Sequence, residues 1–182
     1  DRVTTPSLEA LKKYVAGTRT LEIDGDFAKG SALLGEAITI DTGFAMAYRK
    51  LAMELNNRGL EPGRVDSLLQ KAYDHRDRLS DAERYMTIGS YFSIGPSPDP
   101  DKTVAAYETL LELDSANVPA LNNLAVEYRN RREFAKSEQL LLRALAIERV
   151  GPSVRYTGLL TSQLAQGKVR EAEQTVAMAV EA

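Results

Sequence analysis

Apolar positions in this chain recur on two scales. On the short scale, Leu121, Leu124, Ala125 and Tyr128 fall at i, i+3, i+4 and i+7. That spacing puts them on one stripe of a helix. After the polar stretch Asn130–Glu133, a second stripe follows with Ser137, Leu140, Leu141, Ala144 and Leu145. Two such stripes separated by a short polar turn predict a helix hairpin over residues 118–149. Pro119 fits the first turn of a helix, where its missing N–H would have no partner anyway.

On the long scale, Tyr14, Tyr48, Tyr85 and Tyr156 lie 34, 37 and 71 residues apart, and Leu121 divides the last interval into 36 and 35. A second series, Ala37, Ala72, Leu110, Ala144 and Ala179, is spaced 35, 38, 34 and 35. Two interleaved series with one period mean a single unit used five times, over about 7–41, 43–78, 80–114, 118–149 and 152–182. The expected fold is an all-α solenoid forming a single domain over residues 1–182. No hairpin buries enough apolar surface alone, so each stacks on the next.

The other hairpins are laid on this frame. In the first, the turn is Asp24-Gly25-Asp26, and Gly30 replaces an alanine of the second helix. In the second, Arg58–Gly63 forms the loop. In the third, Ser80 and Glu83 read as a capping box, and Gly95–Asp101, with three prolines, reads as a loop. In the fifth, Leu160 stands where a small residue is expected, which predicts looser packing against the fourth. The recurring tyrosines are read as part of the stacking core, each adding buried area with a polar tip.

The order of these positions resembles the tetratricopeptide repeat (TPR). Leu121, Leu124, Ala125 and Tyr128 match its first helix, and Ser137, Leu141 and Ala144 match its second. The wording of this unit is similar to TPRs of the kinesin-light-chain style. The segments around Thr4–Gly17 and Ala72–Tyr85 resemble TPR regions that lie downstream of bacterial serine/threonine kinase or adenylate-cyclase-like domains. The resemblance implies a right-handed superhelix whose first helices line a concave groove. It also implies a non-catalytic module that binds a protein or peptide there.

Composition narrows the chemistry. The chain has no cysteine, which excludes disulfides, thiolate metal sites and cysteine nucleophiles. A net charge of −3 with interspersed signs argues against nucleic acid as a partner. The one histidine, His75, has no histidine partner at metal-site spacing. The pairs Asp24/Asp26 and Asp99/Asp101 sit in turns, where Asp bonds the local backbone. No phosphate-binding glycine motif is present. The chain is therefore read as not an enzyme, with no cofactor and no metal.

Laid on the TPR pattern, the groove-facing residues are Arg19, Arg49, Met53, Asn56, Met86, Asn122, Asn123, Val126, Arg129 and Thr157. Amides bond a peptide backbone as donor and acceptor, and arginine forks onto carboxylates. The two-lysine, two-asparagine carboxylate clamp of chaperone cofactors is not matched, since Lys50 and Thr87 occupy its asparagine positions. The alternative reading is a structural or self-associating appendage of a larger bacterial signalling protein, with open solenoid ends pairing. The C-terminal helix, Val169–Ala182, with no obvious polar capping helix after it, motivates it. No run is apolar enough to insert in a membrane. A cytoplasmic location is expected, or a periplasmic one if a span lies upstream. The absence of a starting Met points to a fragment or a processed chain.

Overall fold

The computed structural model describes residues 4–148 and 153–181. Residues 1–3, 149–152 and 182 lie outside it, and with them the predicted junction between the fourth and fifth hairpins. Among the described residues there are ten α-helices: α1 (Leu8–Arg19), α2 (Phe27–Ile40), α3 (Ala45–Asn57), α4 (Pro62–Asp74), α5 (Asp81–Ile94), α6 (Pro100–Leu113), α7 (Val118–Asn130), α8 (Phe134–Ile147), α9 (Ser153–Ala165) and α10 (Val169–Glu181). They form two compact units, up to Lys102 and from Thr103 onward.

In the first unit α1 packs on α2 and α3 on α4, while α2 meets α3 and α4 meets α5. The repeating alanines mark these contacts. Ala37 and Ala72 are fully buried. Ala37 lies in one cluster with Ala10, Phe44 and Ala47, and Ala72 in a larger one with Leu34, Leu51, Leu55 and Leu69. An aromatic group, Tyr73, Tyr91 and Phe92, closes the α4–α5 contact, with Tyr73 and Tyr91 stacked at 4.2 Å. In the second unit α8 lies between α7 and α9, and α10 packs on α9. Leu121, Leu124, Leu141, Ala144 and Leu159 fill its core. Of the recurring tyrosines, Tyr48 and Tyr156 are buried, whereas Tyr14 and Tyr85 are half-buried.

The helix ends follow from local chemistry. Ser7, Asp26 and Asn117 cap α1, α2 and α7 by accepting a backbone N–H. Ser80 and Glu83 form the expected capping box on α5. The α7–α8 turn places Arg132 at φ 61°, and Gly25 follows α1 at φ 68°. Three details differ from the sequence reading. The Arg58–Gly63 and Gly95–Asp101 loops are both shorter, because Pro62 opens α4 and Pro100 opens α6, each at a position where proline costs no hydrogen bond. The chain also continues past α1 in one π-helical turn, Thr20–Asp24. Leu160 lines a space of about 170 Å³ between α9 and α10, bounded also by Tyr156, Thr175, Val176 and Ala179.

Glycines let α1 and α2 approach. A Cβ on Gly30 would lie 2.5 Å from Leu21 Cγ and 3.1 Å from the Gly17 carbonyl oxygen. Gly35, on the same helix, has nothing within 4 Å of such an atom. A side clasp involves Asp41. Its carboxylate accepts from Thr5 Oγ1 at 2.6 Å, from the Gly43 N–H at 3.0 Å and from both Arg78 Nη atoms at 3.3 and 3.2 Å. Burial alone would raise the Asp41 pKa. The hydrogen bonds from Thr5, Gly43 and Arg78 outweigh it and hold the carboxyl below its ordinary value.

Substitutions separate these contributions. Gly35→Ala should raise stability by about 0.5–1 kcal/mol through helix propensity. Gly30→Ala gains the same propensity but overpacks at a typical cost of about 1–3 kcal/mol, so its urea midpoint should fall. Equal midpoints would remove the close-approach argument. For Asp41, the folded pKa is depressed, so its stabilising contribution is present above about pH 4, the unfolded value, and is lost as pH falls through the folded value. Asp41→Asn should therefore lower stability at pH 7 by about 1 kcal/mol and flatten the decline of the urea midpoint between neutral pH and pH 3.

Candidate functional site

The buried face of each helix dictates which residues it leaves open. On α3, Tyr48, Leu51, Ala52 and Leu55 are buried, which turns Arg49, Met53 and Asn56, at i, i+4 and i+7, to the other side. Arg49 and Met53 are half-buried and Asn56 is exposed. On α7, Leu121, Leu124, Ala125 and Tyr128 are buried, and Asn122, Val126 and Arg129 take the same three positions. All three are partly exposed. On α9 the corresponding residues are Thr157, Thr161 and Leu164, all exposed. The same stripe thus recurs on α3 within the first unit and on α7 and α9 within the second.

The arginines of these stripes reach to the next first helix. Arg49 Nε donates to Ser90 Oγ on α5 at 2.9 Å, and Ser90 Oγ donates to the Met86 carbonyl at 2.9 Å. Ser90 is 1% exposed, so this contact anchors the Arg49 stem at a buried point. Arg129 lies over α9, where a Cβ on Gly158 would come within 2.6 Å of its Nη1. No carboxylate pairs with Arg129 among the described residues. Beside Asn122, Asn123 donates from Nδ2 to Tyr107 Oη at 3.3 Å. Thr157 Oγ1 donates to the Ser153 carbonyl at 3.0 Å, so it remains an acceptor for a ligand.

The remaining sequence candidates sit elsewhere. Met86 is buried, at 7% exposure, beneath the α5 surface. Arg19 is exposed on the side of α1 opposite Gly17, the residue that faces α2. Lys50 is held between Glu22, at 2.8 Å, and Glu54, at 3.1 Å. Burial would lower its pKa, but the two carboxylates outweigh that and raise it, so its charge is already matched. His75 ends α4 with its ring 6.5 Å from that of Tyr48. Among the described residues no group of three His, Asp or Glu is placed to hold a metal ion. No helix there is long and apolar enough to cross a membrane.

A second surface was invisible in the sequence because it needs three helices together. In the second unit, α6, α7 and α8 enclose an open cleft of about 630 Å³. Leu111, Leu124 and Leu140 form its apolar lining, with Glu108 and Glu112 on α6 and Lys136, Gln139 and Arg143 on α8. Tyr128 Oη donates to Glu108 Oε1 at 2.5 Å, and Lys136 Nζ sits 4.7 Å from the Tyr128 ring centre. Burial and the adjoining Glu108 carboxylate push the Tyr128 pKa up, so its phenol stays protonated and donating. Lys136 also pairs with Glu133 at 2.5 Å, and Arg143 donates to the Ser115 carbonyl. The cleft can take an aliphatic side chain between walls of opposite charge.

Comparison with known proteins supplies the context for these surfaces. No protein-family model and no curated protein matches the chain. Solved structures do. The thermophilic TPR protein TTC0263 of Thermus thermophilus superposes with a TM-score of 0.70 at 17% identity, over 94% of this chain and 90% of that one. The MamA protein gives 0.54 at 19% identity, over 95% and 91%. YrrB, described as a TPR protein with an unusual peptide-binding site, gives 0.53 at 11% identity, over 94% and 85%. With its helices packed in adjacent pairs and no strand among the described residues, the chain has the all-α fold of a TPR-type helical solenoid.

Proposed function

We propose that this protein is a non-catalytic interaction module that binds an extended peptide or a partner helix along the open faces of its first helices. The observation that carries the reading is the α7 stripe. Asn122, Val126 and Arg129 stand partly exposed on a helix whose other side is locked into the core, and Arg129 has no carboxylate partner among the described residues. A rigid helix presenting an amide, an aliphatic side chain and an unneutralised guanidinium suits a peptide. The amide meets backbone groups, the Val126 methyls meet an apolar side chain, and the guanidinium meets a carboxylate. Asn123 and Thr157 extend the polar surface, and Arg49, Met53 and Asn56 repeat the arrangement on α3. The likeness to YrrB supports the class of ligand, since that protein is described by a peptide-binding site. The bacterial kinase- or cyclase-associated context belongs to the same proposal and rests on the sequence resemblance alone.

Peptides selected from a random display library against the wild-type chain should bind at least tenfold more weakly to the Arg49→Glu/Arg129→Glu variant, a loss of about 1.4 kcal/mol. Its thermal melt, followed by circular dichroism, should show a folded protein. Undiminished binding would remove the stripe as the site. If Lys136→Glu in the α6–α8 cleft weakens binding instead, the ligand seats there.

A further inference from the structure

The outer side of α10 differs from its counterpart one repeat earlier. Val169, Glu173, Val176 and Val180 lie at i, i+4, i+7 and i+11, one stripe along the helix. The three valines are 56, 48 and 82% exposed, and Glu173 is exposed among them. Thirty-five residues earlier, the same positions on α8 are Phe134, Glu138, Leu141 and Leu145. There Glu138, Leu141 and Leu145 are 7, 1 and 5% exposed. Their cover is the next hairpin. The α9 helix packs on α8, Gly158 lies against Leu141, and Lys168 Nζ meets Glu138 Oε2 at 2.5 Å. What this surface takes is therefore visible within the chain: the first helix of a hairpin, with a cation near its C-terminal end, here Lys168 in the turn after α9, opposite the glutamate.

The α1 helix presents such a face outward. Its Leu8, Lys12, Val15 and Arg19 have the same i, i+4, i+7, i+11 spacing, on the side opposite Gly17 and away from α2. Leu8 and Val15 are 65 and 56% exposed, and both cations are exposed. Neither Lys12 nor Arg19 has a carboxylate partner among the described residues. The two stripes match in spacing, in apolar character and in charge.

We propose that α1 of one copy packs on α10 of a second copy. In the register that Gly158 and Ser162 of α9 take on Leu141 and Ser137 of α8, Val15 covers Val176, the Lys12 stem and Leu8 lie toward Val180, and Arg19 meets Glu173. The contact repeats between molecules the packing that α9 makes on α8 within one. It is head-to-tail, so each copy keeps one open face of each kind, and assembly continues until a ring closes or a filament grows. A symmetric α10-on-α10 contact is disfavoured, because it would bring two Glu173 carboxylates together. The inference is independent of peptide binding, which uses other helix faces.

Sedimentation equilibrium of the 182-residue chain tests it. The mass should exceed the 20.0 kDa of one chain and climb with concentration. Arg19→Glu and Glu173→Lys, both at exposed positions, should each weaken association about tenfold without shifting the thermal melt. Mixing the two variants should restore it, because each then finds an opposite charge on the other at both kinds of contact. A single-chain mass at every concentration would overturn the proposal. So would association that neither charge reversal touches but that Val176→Asp abolishes, the result expected of α10-on-α10 pairing.

Discussion

Everything in this molecule depends on one helix being able to lie close against the next. Helices of 12–14 residues are marginal on their own in water, and their stability comes from burying an apolar face. Here the burial is possible because the contact positions are small. Ala37, Ala52, Ala72, Ala125 and Ala144 are fully buried, and Gly17 and Gly30 meet where α1 crosses α2. The large residues, Leu34, Leu51, Leu69, Leu121, Leu141 and Leu159, fill the space beside those contacts. A larger residue at a small position would push two helices apart, and the stripe presented by each helix would turn with it.

That constraint also decides where function can reside. A first helix packs against its own hairpin partner and against its neighbours, so most of its circumference is committed. What remains is a stripe at i, i+4 and i+7. Its residues lie outside the apolar core yet are rigidly placed, since the rest of the helix is in the core. This is why Arg49, Met53 and Asn56 coincide in position with Asn122, Val126 and Arg129 while differing in chemistry. Lys50 shows the contrast: one residue along, its charge is spent on Glu22 and Glu54.

The fold was legible in the sequence because its signal is redundant. Five hairpins carry the same apolar spacing, so a departure at one, such as Leu160, did not hide the period. Three kinds of feature were not legible. Pro100 was read as a helix breaker, but proline at the first position of a helix has no hydrogen bond to lose. The π-helical turn after α1 has no compositional mark. Burial by a neighbouring helix is not local either, so Met86, placed by pattern on an open face, lies beneath the surface. The α6–α8 cleft belongs to the same class. Its residues come from two repeats, and only packing brings Glu108 to Tyr128 or Lys136 over the ring. The open stripes on α3 and α7 were legible because they are the complement of the apolar pattern.

The two arginines differ in what they can give a ligand, and the difference is physical. Arg49 is tethered: its Nε is committed to Ser90 Oγ, itself buried and bonded to the Met86 carbonyl. Its guanidinium is thus oriented before any ligand arrives, which reduces the side-chain entropy lost on binding, but leaves fewer donors to offer. Arg129 rests on the glycine surface of Gly158, with no carboxylate matched to its charge among the described residues, and it keeps the planar fork that carboxylates prefer. A ligand carboxylate at Arg129 therefore gains a charge-assisted pair without displacing an internal one. A carboxylate at Lys50 would have to compete with Glu22 and Glu54. If the proposed groove is the site, its specificity would follow from which cations the fold has already committed: Lys50 is matched by Glu22 and Glu54, and Arg129 has no carboxylate partner among the described residues.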